Sequence, residues 1–171
     1  MDEYQRILVI GSPGAGKSTF AKELSKIIGI PVYHLDKVYW LPNFEKPNED
    51  DFINKVDEII TKDEWIIDGN YGSTLEKRLS RATLVIFLDY SKYLCVKSVL
   101  KRIKQYENIQ RDDITEGCIE TYDPEFLEWV WSFPELYRPR IINLLSKYDV
   151  KVISFKTREE ASHYLDELKN R

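Results

Sequence analysis

The chain has 171 residues, of which 43% are hydrophobic and 32% charged, and its net charge is −4. That length suits one globular domain with a real core, and no apolar run reaches the roughly 18–20 residues of a membrane span. The negative whole-molecule field disfavours direct binding to nucleic acid. The two cysteines, Cys95 and Cys118, form no CxxC pair and lie far from His34 and His163 in sequence, so no zinc site is expected and a reduced, cytoplasmic protein is. The start, Met1-Asp2-Glu3-Tyr4-Gln5-Arg6, carries acids and runs into a strand, unlike a signal peptide.

Short apolar runs alternate with amphipathic stretches, which predicts an α/β domain with a mainly parallel sheet over residues 1–171. Ile7-Leu8-Val9-Ile10 reads as a strand buried on both faces. After a glycine-rich loop, Phe20, Ala21, Leu24, Ile27 and Ile28 mark one face of a helix that Gly29 and Pro31 end. Pro31-Val32-Tyr33-His34 is a weak second strand, and residues 37–48 are an irregular aromatic loop. Asn48 caps a helix with Phe52, Val56, Ile59 and Ile60 inward. Strands at Trp65-Ile66-Ile67 and Leu84-Val85-Ile86-Phe87-Leu88 flank a short helix at 73–80.

Ser91 opens a helix with Val96, Val99, Leu100 and Ile103 inward. Its basic residues Lys97, Lys101, Arg102 and Lys104 read as a solvated face, Arg102 excepted. Residues 105–123 lose periodicity and predict a mobile excursion over the sheet edge. Pro124 restarts a helix that Pro134 breaks or kinks, and a further helix runs to about Tyr148. Trp129, Trp131 and Phe133 read as packing residues, with one of the two indoles facing outward. Val150-Lys151-Val152-Ile153 is the last strand, and Thr157 with Glu160 forms a capping box for a final helix. The total is five strands and about seven helices, with ligands expected at the carboxyl ends of the strands.

Gly11-Ser12-Pro13-Gly14-Ala15-Gly16-Lys17-Ser18 fits the phosphate-loop pattern at every fixed position, between a buried strand and a helix. Glycines let successive N–H groups turn toward phosphate oxygens, and the helix adds its positive end. Lys17 reaches the β- and γ-phosphates, Ser18 ligates Mg²⁺, and Thr19 closes the loop. ATP is expected as the triphosphate.

Asp68 follows a buried strand as a magnesium-holding acid does. Asp36, just after the second strand, can orient an acceptor hydroxyl or take its proton. Asp89 and His34 read as structural residues. Tyr39, Trp40, Phe44 and Tyr71 flank the acceptor position, either to stack on an acceptor or as a mini-core.

Residues 11–19, His34-Leu35-Asp36, the block Trp65 to Tyr71, Glu116-Gly117-Cys118, Trp129-x-Trp131 and Arg138-Pro139 resemble the bacterial DNA topology modulation proteins, which look like adenylate-kinase-related P-loop kinases. The resemblance implies a three-layer α/β/α fold with sheet order 2-3-1-4-5, an acceptor segment after strand two, and a small helical lid at about 104–123. It implies lid arginines that neutralise the transferring phosphoryl group, matched by Arg102, Arg111 and Arg138, with Arg140 a weaker match. Asn70 and Tyr71, expected to bind the acceptor, stand where adenylate kinases have Pro-Arg, so Arg78 is the substitute expected to grip it, and AMP is disfavoured. The expected activity is transfer of the γ-phosphoryl of MgATP to a small molecule. The alternatives are a regulatory ATP-binding module, linked to DNA topology, and a slow ATPase.

Overall fold

Every strand pairing in the computed structural model, which describes residues 4–170, is parallel. The strands are β1 (Arg6–Gly11), β2 (Val32–His34), β3 (Trp65–Asp68), β4 (Leu84–Leu88) and β5 (Lys151–Phe155), in the order β2-β3-β1-β4-β5. That is the order the resemblance implied. The reading of the N-terminus as no signal peptide rests partly on residues 1–3, which lie outside the described residues.

Strands β1, β3 and β4 are buried almost throughout, as continuous apolar runs in a sheet covered on both faces must be. Strand alternation divides β1 between two cores: Ile7 and Val9 join one, Leu8 and Ile10 the other. The first core is covered by α1 (Lys17–Ile28), α5 (Lys92–Gln105) and α8 (Arg158–Lys169). The second is covered by α3 (Glu49–Ile60), α4 (Gly72–Leu79) and α7 (Arg138–Leu145). Helix α6 (Pro124–Leu136) gives Val130 to the first core and Phe133 to the second.

The start and stop signals work as read. Gly29 ends α1 at φ +77°, and its N–H bonds Ser25 O at 2.8 Å. Asn48 and Ser91 cap α3 and α5, and the Thr157–Glu160 capping box opens α8. Three details differ. A five-residue helix, α2 (Leu35–Tyr39), enters the segment read as loop, followed by a single 3-10 turn at Pro42–Phe44. Helix α6 runs through Pro134 and breaks only at Tyr137, because a proline in the last turn disturbs just the carbonyl four residues back. Leu100, expected inward, is 43% exposed, so α5 buries only Cys95 and Val99 fully.

The stretch 106–123 holds no helix or strand, and it packs against a neighbouring loop. Ile114 and Cys118 are buried. Thr115 Oγ1 donates to Trp40 O at 2.5 Å, Asn43 N–H donates to Gly117 O at 3.3 Å, and Cys118 Sγ takes Phe44 N–H at 3.4 Å while donating to Leu41 O at 3.2 Å. The segment is therefore bonded down onto the backbone of the 37–48 loop. No helix among the described residues is long and apolar enough to cross a membrane.

Candidate active site

The loop from Gly11 to Gly16 curls at the carboxyl end of β1. Gly14 has φ +80°, and a Cβ there would lie 2.5 Å from the Cys95 carbonyl oxygen, so α5 presses the loop from behind. Gly16 has φ +90°, and a Cβ there would meet nothing within 4 Å. The cradle is thus closed on its protein side and open on the other. Lys17 Nζ bends back to donate to Gly11 O at 3.1 Å and Ser12 O at 3.0 Å. Burial lowers its pKa against the attraction of Asp36 and Asp68. An ammonium held by two neutral carbonyls keeps its charge available to an incoming anion.

Ser18 Oγ donates to Asp68 Oδ1 at 3.0 Å. The other oxygen, Oδ2, contacts His34 Nδ1. Sequence reading left His34 as structural. The signal that could have found it is that His34 and Asp68 close adjacent strands in register. Among the described residues no group of three or more His, Cys, Asp or Glu side chains could hold a metal ion. A serine hydroxyl and one carboxylate beside a phosphate cradle nonetheless suit Mg²⁺, which keeps several waters and takes the rest of its ligands from phosphate.

Asp36, in the first turn of α2, accepts the Tyr71 hydroxyl at 2.6 Å. Burial raises the Asp36 pKa, while the Tyr71 bond and Lys17 pull the other way. Arg102 and Arg111 face the same cleft and share one counterion. Arg102 Nε donates to Glu120 Oε2 at 2.8 Å, and Arg111 Nη1 donates to the same oxygen at 3.1 Å. Arg111 also holds Asp113 with two bonds, at 2.9 and 2.7 Å.

Four expected site residues are placed otherwise. Arg78 is fully buried and donates to the carbonyls of Gly69, Asn70 and Tyr71 and to Thr74 Oγ1. Burial pulls its pKa down to about 9. It braces the turn after β3 and does not reach the cleft. Arg138 grips Asp89 with two bonds at 2.7 Å, beside Lys156 on the same carboxylate, whereas Arg140 lines the cleft. The Asn70 amide is spent on Gly11, accepting its N–H at 3.2 Å and donating to its carbonyl at 2.8 Å. Tyr39 packs edge-on against Trp40 and Phe52 and tilts on Tyr71, at 4.9, 5.0 and 4.9 Å, so it belongs to a mini-core. Trp40, Phe44 and Tyr71 keep one side toward the cleft. Trp129 lines it too, while Trp131 is the outward indole, under Lys92.

Residues 13–19, Asp36, Asp68, Arg102 and Arg111 all line one cleft of about 1490 Å³. A single small-molecule site is about 300–1,000 Å³, so this cleft has room for two ligands side by side.

No protein-family model matches the chain. Adenylate kinase of Thermotoga petrophila is 34% identical over 74 residues, which are 43% of this chain and 33% of the enzyme. The sublancin-168-processing and transport ATP-binding protein SunT of Bacillus subtilis is 25% identical over 127 residues, 74% of this chain and 14% of that protein. The chain therefore spans about a third or less of the length of the curated relatives it matches. The crystal structure of shikimate kinase from Bacteroides thetaiotaomicron superposes with a TM-score of 0.56 at 17% identity, covering 97% of this chain and 96% of that one. These likenesses do not support the resemblance to the topology modulation proteins. The fold is that of the P-loop kinases.

Proposed function

We propose that the protein is an ATP-dependent phosphotransferase that moves the γ-phosphoryl group of MgATP to a small hydroxylated acceptor. The observation that carries this reading is one cleft holding a phosphate cradle, a Ser18–Asp68 pair and a further buried carboxylate, Asp36, within electrostatic reach of Lys17 and Asp68. A simple nucleotide-binding module needs the first two and has no use for the third.

Bound Mg²⁺ would be held through Ser18 and Asp68 and would supply charge neutralisation across the β- and γ-phosphates. The main-chain N–H groups of Gly14 and of residues 16–18, with the Lys17 ammonium, bind the polyphosphate. Arg102 and Arg111 turn from Glu120 toward the transferring group, where charge spreads over its equatorial oxygens. Asp36, whose pKa burial raises, accepts the proton of the acceptor hydroxyl as the new O–P bond forms. The segment at 104–123, as a lid, excludes water that would otherwise take the phosphoryl group. Trp40, Phe44 and Tyr71 offer the acceptor an aromatic wall. The whole chain acts as one domain in this scheme.

The test is ADP release from MgATP against a panel of nucleosides, nucleoside monophosphates and small hydroxylated metabolites, with Lys17→Ala as control. One acceptor should raise turnover by at least an order of magnitude, and Lys17→Ala should lose triphosphate binding in calorimetry. ATP binding with no acceptor stimulation would make the protein a regulatory module. Unstimulated hydrolysis alone would make it a slow ATPase.

A further inference from the structure

We infer that His34 is a positioning residue: it holds the Asp68 carboxylate in the orientation that the magnesium ion of bound MgATP requires. The inference rests on the reading of Ser18 and Asp68 as the magnesium pair and adds a residue to it.

The contact is set by the backbone. His34 is the last residue of β2 and Asp68 the last of β3, and the parallel register places them side by side. Residues in register on neighbouring strands project to the same face, so the ring meets the carboxylate without a long side-chain reach. The two side chains are 9% and 4% exposed.

The two carboxylate oxygens are divided between two partners. Oδ1 takes the Ser18 hydroxyl at 3.0 Å, and Oδ2 meets His34 Nδ1. An ionised carboxylate can only accept, so the ring hydrogen sits on Nδ1. The cations that act on Asp68 from further off are committed elsewhere. Lys17 Nζ lies on the carbonyls of Gly11 and Ser12, and Arg78 lies on those of Gly69, Asn70 and Tyr71. With the imidazole gone, Oδ2 keeps no hydrogen-bond donor among the described residues. The carboxylate is then free to turn about χ2 toward Lys17, and turning takes Oδ1 off Ser18.

Magnesium tolerates this badly, because it demands near-ideal octahedral geometry. Removing a group that orients a metal-holding side chain typically weakens metal affinity or activity by about 10–100-fold.

The experiment is calorimetric titration of ATP in excess EDTA and in excess Mg²⁺, on the wild type and on His34→Ala, His34→Asn and His34→Gln. Asparagine carries its amide nitrogen as far from Cα as Nδ1 is; glutamine carries it out to the position of Nε2. In EDTA, His34→Ala should bind ATP within about twofold of the wild type. Its gain in affinity on adding Mg²⁺ should fall by about 10–100-fold, with His34→Asn restoring most of that gain and His34→Gln little. Asparagine against glutamine decides the matter even where the alanine variant fails to fold. Equal losses with and without Mg²⁺, an undiminished Mg²⁺ gain in His34→Ala, or rescue by glutamine as good as by asparagine would each overturn the proposal. A wild type whose ATP affinity ignores Mg²⁺ would overturn it together with the Ser18–Asp68 assignment, leaving nucleotide binding intact. A wild type that binds no ATP at all would refute the phosphotransferase reading itself.

Discussion

Asn70 gives the sharpest contrast between a residue that touches the acceptor and one that holds the phosphate loop in place. Its amide makes two hydrogen bonds to Gly11, at 3.2 and 2.8 Å, and so ties the turn after β3 to the end of β1. Each such bond contributes about 0.5–1.5 kcal/mol net, so Asn70→Ala should cost about 1–3 kcal/mol. In a chain of 171 residues, the middle of that range lowers the melting temperature by about 4–8 °C. The Gly11 carbonyl freed in the variant is also one of the two that hold Lys17 Nζ. Misplacing it should weaken triphosphate binding about tenfold, equivalent to about 1.4 kcal/mol. Asn70→Asp should do no better, since its second oxygen would face the Gly11 carbonyl oxygen and repel it. Urea unfolding and ATP calorimetry on the two variants read both quantities. Wild-type stability and ATP affinity combined with a raised KM for the acceptor would refute the brace and return Asn70 to the acceptor site.

Tyr71→Phe removes a hydrogen bond that holds the Asp36 pKa down against burial. A base works above its pKa, so the acid limb of acceptor-dependent kcat should move to higher pH; a pH–rate profile that stays in place would dissociate Asp36 from proton transfer. Glu120→Gln removes the counterion shared by Arg102 and Arg111, and triphosphate affinity in low salt should tighten on the order of tenfold in calorimetry. No change would mean that these arginines do not meet the nucleotide. At Asp89, burial raises the carboxyl pKa, but Arg138 and Lys156 outweigh it and hold it below the ordinary value. A carboxylate depressed by folding stabilises the protein above its unfolded pKa of about 3.9 and loses that contribution as pH falls through the folded value. Asp89→Asn should therefore cost about 1–3 kcal/mol at neutral pH in urea unfolding, and the gap to the wild type should close in acid; a constant gap would contradict the ion-pair account.

What was legible in the sequence was local. The phosphate loop declares itself because its function depends on the spacing of adjacent residues, and β1, β3 and β4 do so because burial on both faces demands unbroken apolar runs. The caps Asn48, Ser91 and Thr157 are equally short-range. The side-chain partners were not legible, because they depend on which chain ends the fold brings together. Arg102, Arg111, Arg138 and Arg78 look alike as letters. The structure turns two of them to the cleft, one to Asp89 and one to the backbone of its own turn. Asn70 and Gly11 are 59 residues apart, and His34 and Asp68 are 34 apart. The second pair becomes visible only once β2 is known to lie beside β3 with both ends level. The bonds of 106–123 were not legible either, because composition cannot show that backbone groups of a distant loop will take them up.

Those bonds have a consequence for how molecules get in and out. Thr115, Gly117 and Cys118 are fastened to Trp40, Leu41, Asn43 and Phe44, so in the proposed phosphotransfer scheme the lid segment and the aromatic wall are stitched into a single shutter. Neither can swing alone without unpicking the same seam. In that scheme both substrates share one gate and one barrier, and whichever arrives first to move the joined segments opens the way for the second.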